Sequence, residues 1–139
     1  MAVFLNNKVG VKINSVDLSD HVKSVTLNRQ FNELEVTAMG DTSQRFVKGL
    51  ENSTFTVSFL NDDATGSVMQ TLQAAFGTTV TAVVLQDKST AVSATNPLYT
   101  FSVLVNKTTD VNGATGDIST QDITFTVNSS VAVTNSGTF

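Results

Sequence analysis

Within residues 53–60 apolar and hydroxyl side chains alternate. Phe55, Val57 and Phe59 fall on one side, Thr54, Thr56 and Ser58 on the other. A period of two is the signature of a strand with one face on a core and the other on a polar surface. The pattern recurs where Tyr99, Phe101, Val103 and Val105 alternate with Thr100, Ser102 and Leu104, and where Ile123, Phe125 and Val127 alternate with Asp122, Thr124 and Thr126. Phe55-Thr56-Val57, Phe101-Ser102-Val103 and Phe125-Thr126-Val127 therefore predict three strands lining a common core. They are not a sequence repeat, because their flanks do not match. A further strand is expected over residues 79–85, where Val83-Val84-Leu85 suggests burial on both faces. Earlier strands are expected over 9–13 and 16–18, joined by a turn at Asn14-Ser15, and over 21–27.

One stretch changes period. Val68, Leu72, Ala75 and Phe76 recur at three- and four-residue spacing with Met69 beside them, which predicts a helix over about 63–76 packed on a sheet. Asn61, Asp62 and Asp63 offer a cap and a favourable charge at its start, and Gly77 sits where a left-handed C-terminal cap belongs. Residues 86–97 and 108–116 read as loops, with Asn112-Gly113 as a turn signal between two strands. The tail from 130 to 139 is small and polar apart from Val131, Val133 and Phe139, and is expected to be flexible before any assembly. No linker or composition shift divides the chain, so residues 1–139 are expected to form a single domain.

The least ordinary stretch lies between the strands of 21–27 and 53–60. It is polar and too long for a hairpin turn, yet it carries Leu34, Val36, Met39, Phe46, Val47 and Leu50. Apolar side chains on a long arm are normally buried against something else. In a chain without catalytic residues, that something is expected to be another subunit.

Composition sharpens this picture. Charged residues make up only 14%, about half the usual share, and Thr, Ser and Asn take their place, as suits a β-rich protein with much packed surface. There is no cysteine, hence neither a disulfide framework nor a thiolate metal site. The opening MAVFLNNK lacks the basic and apolar regions of a signal peptide, and no apolar run could cross a membrane as a helix. The chain is expected to fold where it is made. A net charge of −4 with scattered cations argues against tight binding to phosphate backbones, which needs clustered positive charge.

Candidate chemistry is sparse. His21 stands alone, without the second His or Cys that a zinc site needs, and its strand-like context favours a structural role. Glu33 and Glu35 share a strand face but have no aromatic platform, with Trp absent and Tyr99 the single tyrosine. Asp62 and Asp63 are explained by helix capping. Asp110, Asn112, Asp117 and Asp122 do not match a calcium loop, the glycines form no phosphate cradle, and no nucleophile elbow accompanies a triad. No catalytic residue, cofactor or metal is expected, and the chain is not expected to be an enzyme.

The segment VDLSDHVKSVTLNRQFNELEVTAMGDTSQRFVKGL, residues 16–50, resembles the tail tube (major tail) proteins of long, non-contractile-tailed bacteriophages. That family shows an early LSDHV-SV-L strand, an acidic E-EVTAMGD run, a T-RFV-GL segment, and an F-VSF-ND strand leading to a helix. The matching stretches here are 18–27, 33–41, 42–50 and 55–63, with a helix expected over 65–76. The likeness covers about the first 75 residues in order and spacing. Beyond them only the strand content agrees.

The resemblance implies a mainly β fold: a β-sandwich or incomplete barrel with one packed helix and a long projecting hairpin or loop over about 30–52. It implies rings of six subunits stacked into the tail of a virion and assembled in the host cytoplasm. Hairpins of neighbouring subunits would pair around a lumen through which DNA passes without being gripped. Its partners would be further copies of itself and, at the ends of the tube or within it, tape-measure, tail terminator and tail-tip proteins. Six subunits at −4 would put about −24 on a ring, repelling phosphate; Glu33, Glu35 and Asp41 are the lumen candidates. Met39, Arg45, Phe46, Val47 and Leu50 are the candidate contacts between subunits. Gly40 and Gly49 would bend the two ends of the arm, and Arg45 would offer a forked donor to a neighbour's carboxylate. The alternatives are a monomeric β-sandwich binding or adhesion module, which leaves the arm idle, and another ring-forming tail or secretion-tube component.

Overall fold

Phe55, Val57 and Phe59 are fully buried in the computed structural model, which describes residues 8–139. The opening residues 1–7, read above for targeting signals, lie outside the described residues. The strands among the described residues are β1 (Gly10–Ile13), β2 (Val16–Asp17), β3 (Val22–Asn28), β4 (Phe31–Glu35), β5 (Phe46–Glu51), β6 (Thr54–Leu60), β7 (Thr79–Leu85), β8 (Leu98–Leu104), β9 (Thr120–Val127) and β10 (Ala132–Thr134), and the alternation marks β6, β8 and β9. The one α-helix among the described residues is α1 (Val68–Ala75). The fold is mainly β, an antiparallel sandwich left open as an incomplete barrel. The main sheet runs β2-β1-β7-β8-β9-β6-β3, and its outer strands β2 and β3 do not pair with each other.

The core fills the space inside that curl. Phe55 meets the Phe101 ring edge-on at 5.0 Å and stacks on Phe125 at 5.6 Å, so the three predicted strands converge as expected. Val11, Ile13, Leu18, Ala82 and Val84 close the core from the β1–β7 side. Val68, Leu72 and Ala75 of α1 enter the same cluster, while Gln70 and Gln73 face water. Asn14 and Ser15 both take positive φ, 53° and 66°, in the tight turn between β1 and β2.

The helix begins five residues later than the expected 63, at Val68, the first residue of its apolar periodicity. Asp62 organises a turn instead of capping a helix: it accepts the Ala64 N–H at 2.9 Å and the Ser67 hydroxyl at 3.0 Å. Gly66 then takes φ +78°, so the chain reverses before the helical turns start. The predicted end holds, with Gly77 at φ +79° after the last turn. His21 ends the short 3-10 turn Ser19–His21, and its Nε2 lies 2.8 Å from Asp62 Oδ2, tying the start of β3 to the entry of α1.

One loop expectation changes. Asn112-Gly113 does not make a hairpin turn, because the Asn112 side chain donates to the Thr120 carbonyl at 2.6 Å and the tight turn forms at Ala114–Asp117 instead. The tail carries contacts to the body that the sequence did not signal. β10 pairs with β8, and Phe139 packs beside Gly10.

Two predictions follow from the core and the Asp62 turn. Replacing Phe55 by Ala removes a ring held between two others and should cost about 3–5 kcal/mol in a denaturant titration; a loss under about 1 kcal/mol would show that the three-ring core is not the centre of stability. Asp62 is held below the ordinary aspartate range, first by the Ala64 N–H, then by the Ser67 hydroxyl and His21. Its stabilisation is therefore complete above the usual aspartate pKa and drains away as pH falls through the lowered value. Between about pH 4 and pH 2 the native chain should lose stability more steeply than Asp62→Asn, and parallel profiles would contradict this.

Candidate functional site

The arm is the distal half of one long hairpin. In the body Asn28 faces Thr54, and beyond a short break Phe31 faces Glu51, followed by Glu33–Lys48, Leu34–Val47 and Glu35–Phe46. The Asn52 N–H donates to the Gln30 carbonyl at 2.7 Å across the break. Pairing thus resumes almost in register, with one irregularity between Phe31 and Glu33. From Phe31 to the tip the arm extends roughly 30 Å, at about 3.3 Å per residue.

Among the described residues no third strand covers it. β4 and β5 form a separate two-stranded sheet, and every residue of β4 is exposed. Leu34 and Val47 sit opposite each other on one face, with Val36 next along. Phe46 (50% exposed) and Leu50 (82%) lie on β5, and Met39 is fully exposed at the tip. A two-stranded ribbon is marginal in water, so one with apolar residues on both faces lacks a layer.

The expected arm contacts, Met39, Arg45, Phe46, Val47 and Leu50, all lie on this projection. Arg45 has a neighbour on its own chain, with Nη1 3.7 Å from Asp41 Oδ1, and most of its side chain faces solvent. Its backbone N–H donates to the Thr37 hydroxyl at 2.9 Å, helping to close the tip. Phe31, 46% exposed at the root, belongs to the same surface and was not among the expected contacts; its place in the Phe31-Glu33-Glu35 alternation is the signal that points to it.

The three lumen candidates part company. Glu33 and Glu35 project from the same strand, but Glu33 stands opposite Lys48, whose Nζ lies 5.7 Å from the Phe31 ring centre. Asp41 belongs to the tip turn, where its carboxylate accepts the Ala38 N–H at 2.7 Å. Gly40, at φ +95°, does bend the tip. Gly49 lies inside β5 at the register irregularity opposite Phe31–Glu33, where an added Cβ would come within 2.6 Å of the Asn32 carbonyl oxygen.

Two further features adjoin the arm. Among the described residues the outer edge of β3 has no partner strand, and Lys23 is its only charged residue, so the usual guards against strand addition are thin. At the root, a cleft of about 310 Å³ opens between Val25, Leu27 and Arg29 on one side and Val84, Gln86 and Tyr99 on the other. Elsewhere Val111 and Ile118 are exposed on the long loop before β9. Among the described residues no three His, Cys, Asp or Glu side chains gather as a metal site would require, and no helix is long and apolar enough to cross a membrane. No family model matches the chain, and no curated protein matches it closely enough to report.

The close approach at Gly49 yields a local test. Gly49→Val should open the arm pairs Glu33–Lys48 and Leu34–Val47, seen as faster amide exchange there, and leave the unfolding of the body within about 0.5 kcal/mol of native. Unchanged exchange in the arm would mean the ribbon tolerates the extra side chain.

Proposed function

We propose that this chain is a non-catalytic structural subunit that assembles through its arm into rings and stacked rings, as in the tail tube of a long, non-contractile-tailed bacteriophage. The observation that carries the reading is the uncovered ribbon of β4 and β5, with Leu34, Val36, Phe46, Val47 and Leu50 in water. In an assembly, a neighbouring copy supplies the missing layer, and strand addition at the β3 edge satisfies backbone groups the free subunit leaves open. Sequence order over residues 16–63 supports the tail-tube form of this reading in particular. The acidic balance suits a conduit that lets DNA pass without gripping it. In the virion, the tail terminator, tail-tip and tape-measure proteins would meet the tube at its ends and in its lumen.

A monomeric binding module explains the sandwich but gives the arm no task. Another ring-forming tail or secretion component uses the same arm, and differs in whether long polymers form.

The experiment is negative-stain microscopy of the native chain and Phe46→Ala. The native chain should form rings or tubes, whereas Phe46→Ala should remain a folded subunit with its thermal midpoint within a few degrees of native. Native-length tubes from Phe46→Ala would remove the arm from the assembly.

A further inference from the structure

β9 shares the edge of β8 at only two positions, Val103–Val127 and Leu104–Thr126. Further along the same edge, Ala132, Val133 and Thr134 of β10 pair with Thr100, Tyr99 and Leu98. All three β10 residues are exposed, so the strand holds by its backbone and by whatever fixes its ends.

Both ends are fixed. At the first, the Ser129 hydroxyl oxygen accepts the Ser102 N–H at 2.8 Å, Val131 is buried, and the Val131 N–H points to Glu51 Oε1 at 3.4 Å. Glu51 ends β5 at the root of the arm, and the same carboxylate accepts the Ser53 hydroxyl at 3.0 Å. At the second end, the Phe139 ring lies against Gly10 so closely that an added Cβ there would sit 2.8 Å from it. A Cβ at this position would push the ring out of its present place. Lys12 Nζ sits 4.6 Å from the ring centre, and Gly137 at φ +106° turns the chain toward the slot.

We propose that residues 129–139 form a releasable strap that closes the β8 edge of the free subunit, clipped to the root of the arm through Glu51 and locked at its far end by Phe139 in the Gly10 slot. Release uncovers the backbone of Leu98–Thr100, an edge ready to take a strand from a second copy. Because the first clip sits on the arm, an arm that shifts on meeting its partner withdraws the acceptor from Val131 and loosens the strap. The strap itself does not depend on the assembly reading; its action as a brake on assembly rests on it.

Amide exchange of the full chain, followed residue by residue by NMR, tests the strap. Phe139→Ala and Glu51→Ala should each speed exchange at residues 98–100 and 132–134 about tenfold, with β6 at its native rate, and Phe139→Tyr should restore protection. Unchanged exchange in Phe139→Ala, or equal acceleration throughout β6, overturns the strap. Light scattering tests the brake: Phe139→Ala should shorten the lag before polymers appear. A native lag with a loosened strap overturns the brake alone. A native chain that never polymerises overturns the assembly reading and the brake with it, leaving the exchange result to judge the strap.

Discussion

A single hairpin that starts inside the fold and ends outside it sets the terms for everything else. The strands from Val22 to Glu35 and from Phe46 to Leu60 pair along almost one register. Their inner half brings Phe55 between Phe101 and Phe125, where burial stabilises the whole sandwich. The outer half has the same backbone pairing and a comparable share of apolar residues, but no sheet or helix among the described residues lies over it. Burial that the body achieves within one chain is left incomplete on the arm.

The rest of the molecule fits a subunit with one finished end and one unfinished end. Polar groups in the body are satisfied: among the described residues no buried side-chain nitrogen or oxygen lacks a hydrogen-bond partner. Gln121 is an example, its amide donating to Asn61 Oδ1 at 2.8 Å while its oxygen accepts the Thr109 N–H at 3.0 Å. On the outer face of β6 and β9, Thr56 and Thr124 hydroxyls meet at 3.3 Å, and Ser58 donates to Asp122. Most of the exposed apolar surface gathers on the arm, and an unpaired edge of β3 among the described residues lies beside it.

Much of this was legible in the sequence, for a physical reason. A period of two survives wherever one face is buried, which is why β6, β8 and β9 fall within a few residues of their expected bounds. The start of α1 was not legible, because an aspartate near a helix reads as a cap, whereas Asp62 spends its oxygens on Ala64, Ser67 and His21. Nor was the order of the tail: β10 carries no buried side chain to imprint a pattern, and its anchors, Gly10 and Glu51, lie 80 or more residues away in sequence. On the candidate site, the apolar residues of the arm were readable one by one, but not its pairing. Both faces are exposed, so no face-specific period marks the register, and the Lys48 opposite Glu33 emerges only from the strand alignment.

Protection of the arm amides against protein concentration is the most direct measure of whether this ribbon is completed by copies of itself. Exchange at residues 33–35 and 46–48 should slow as concentration rises from micromolar to millimolar, in step with a mass above 14.7 kDa, while exchange in β6 stays constant. Exchange in the arm that is independent of concentration, from a chain that remains at 14.7 kDa throughout, would contradict the account.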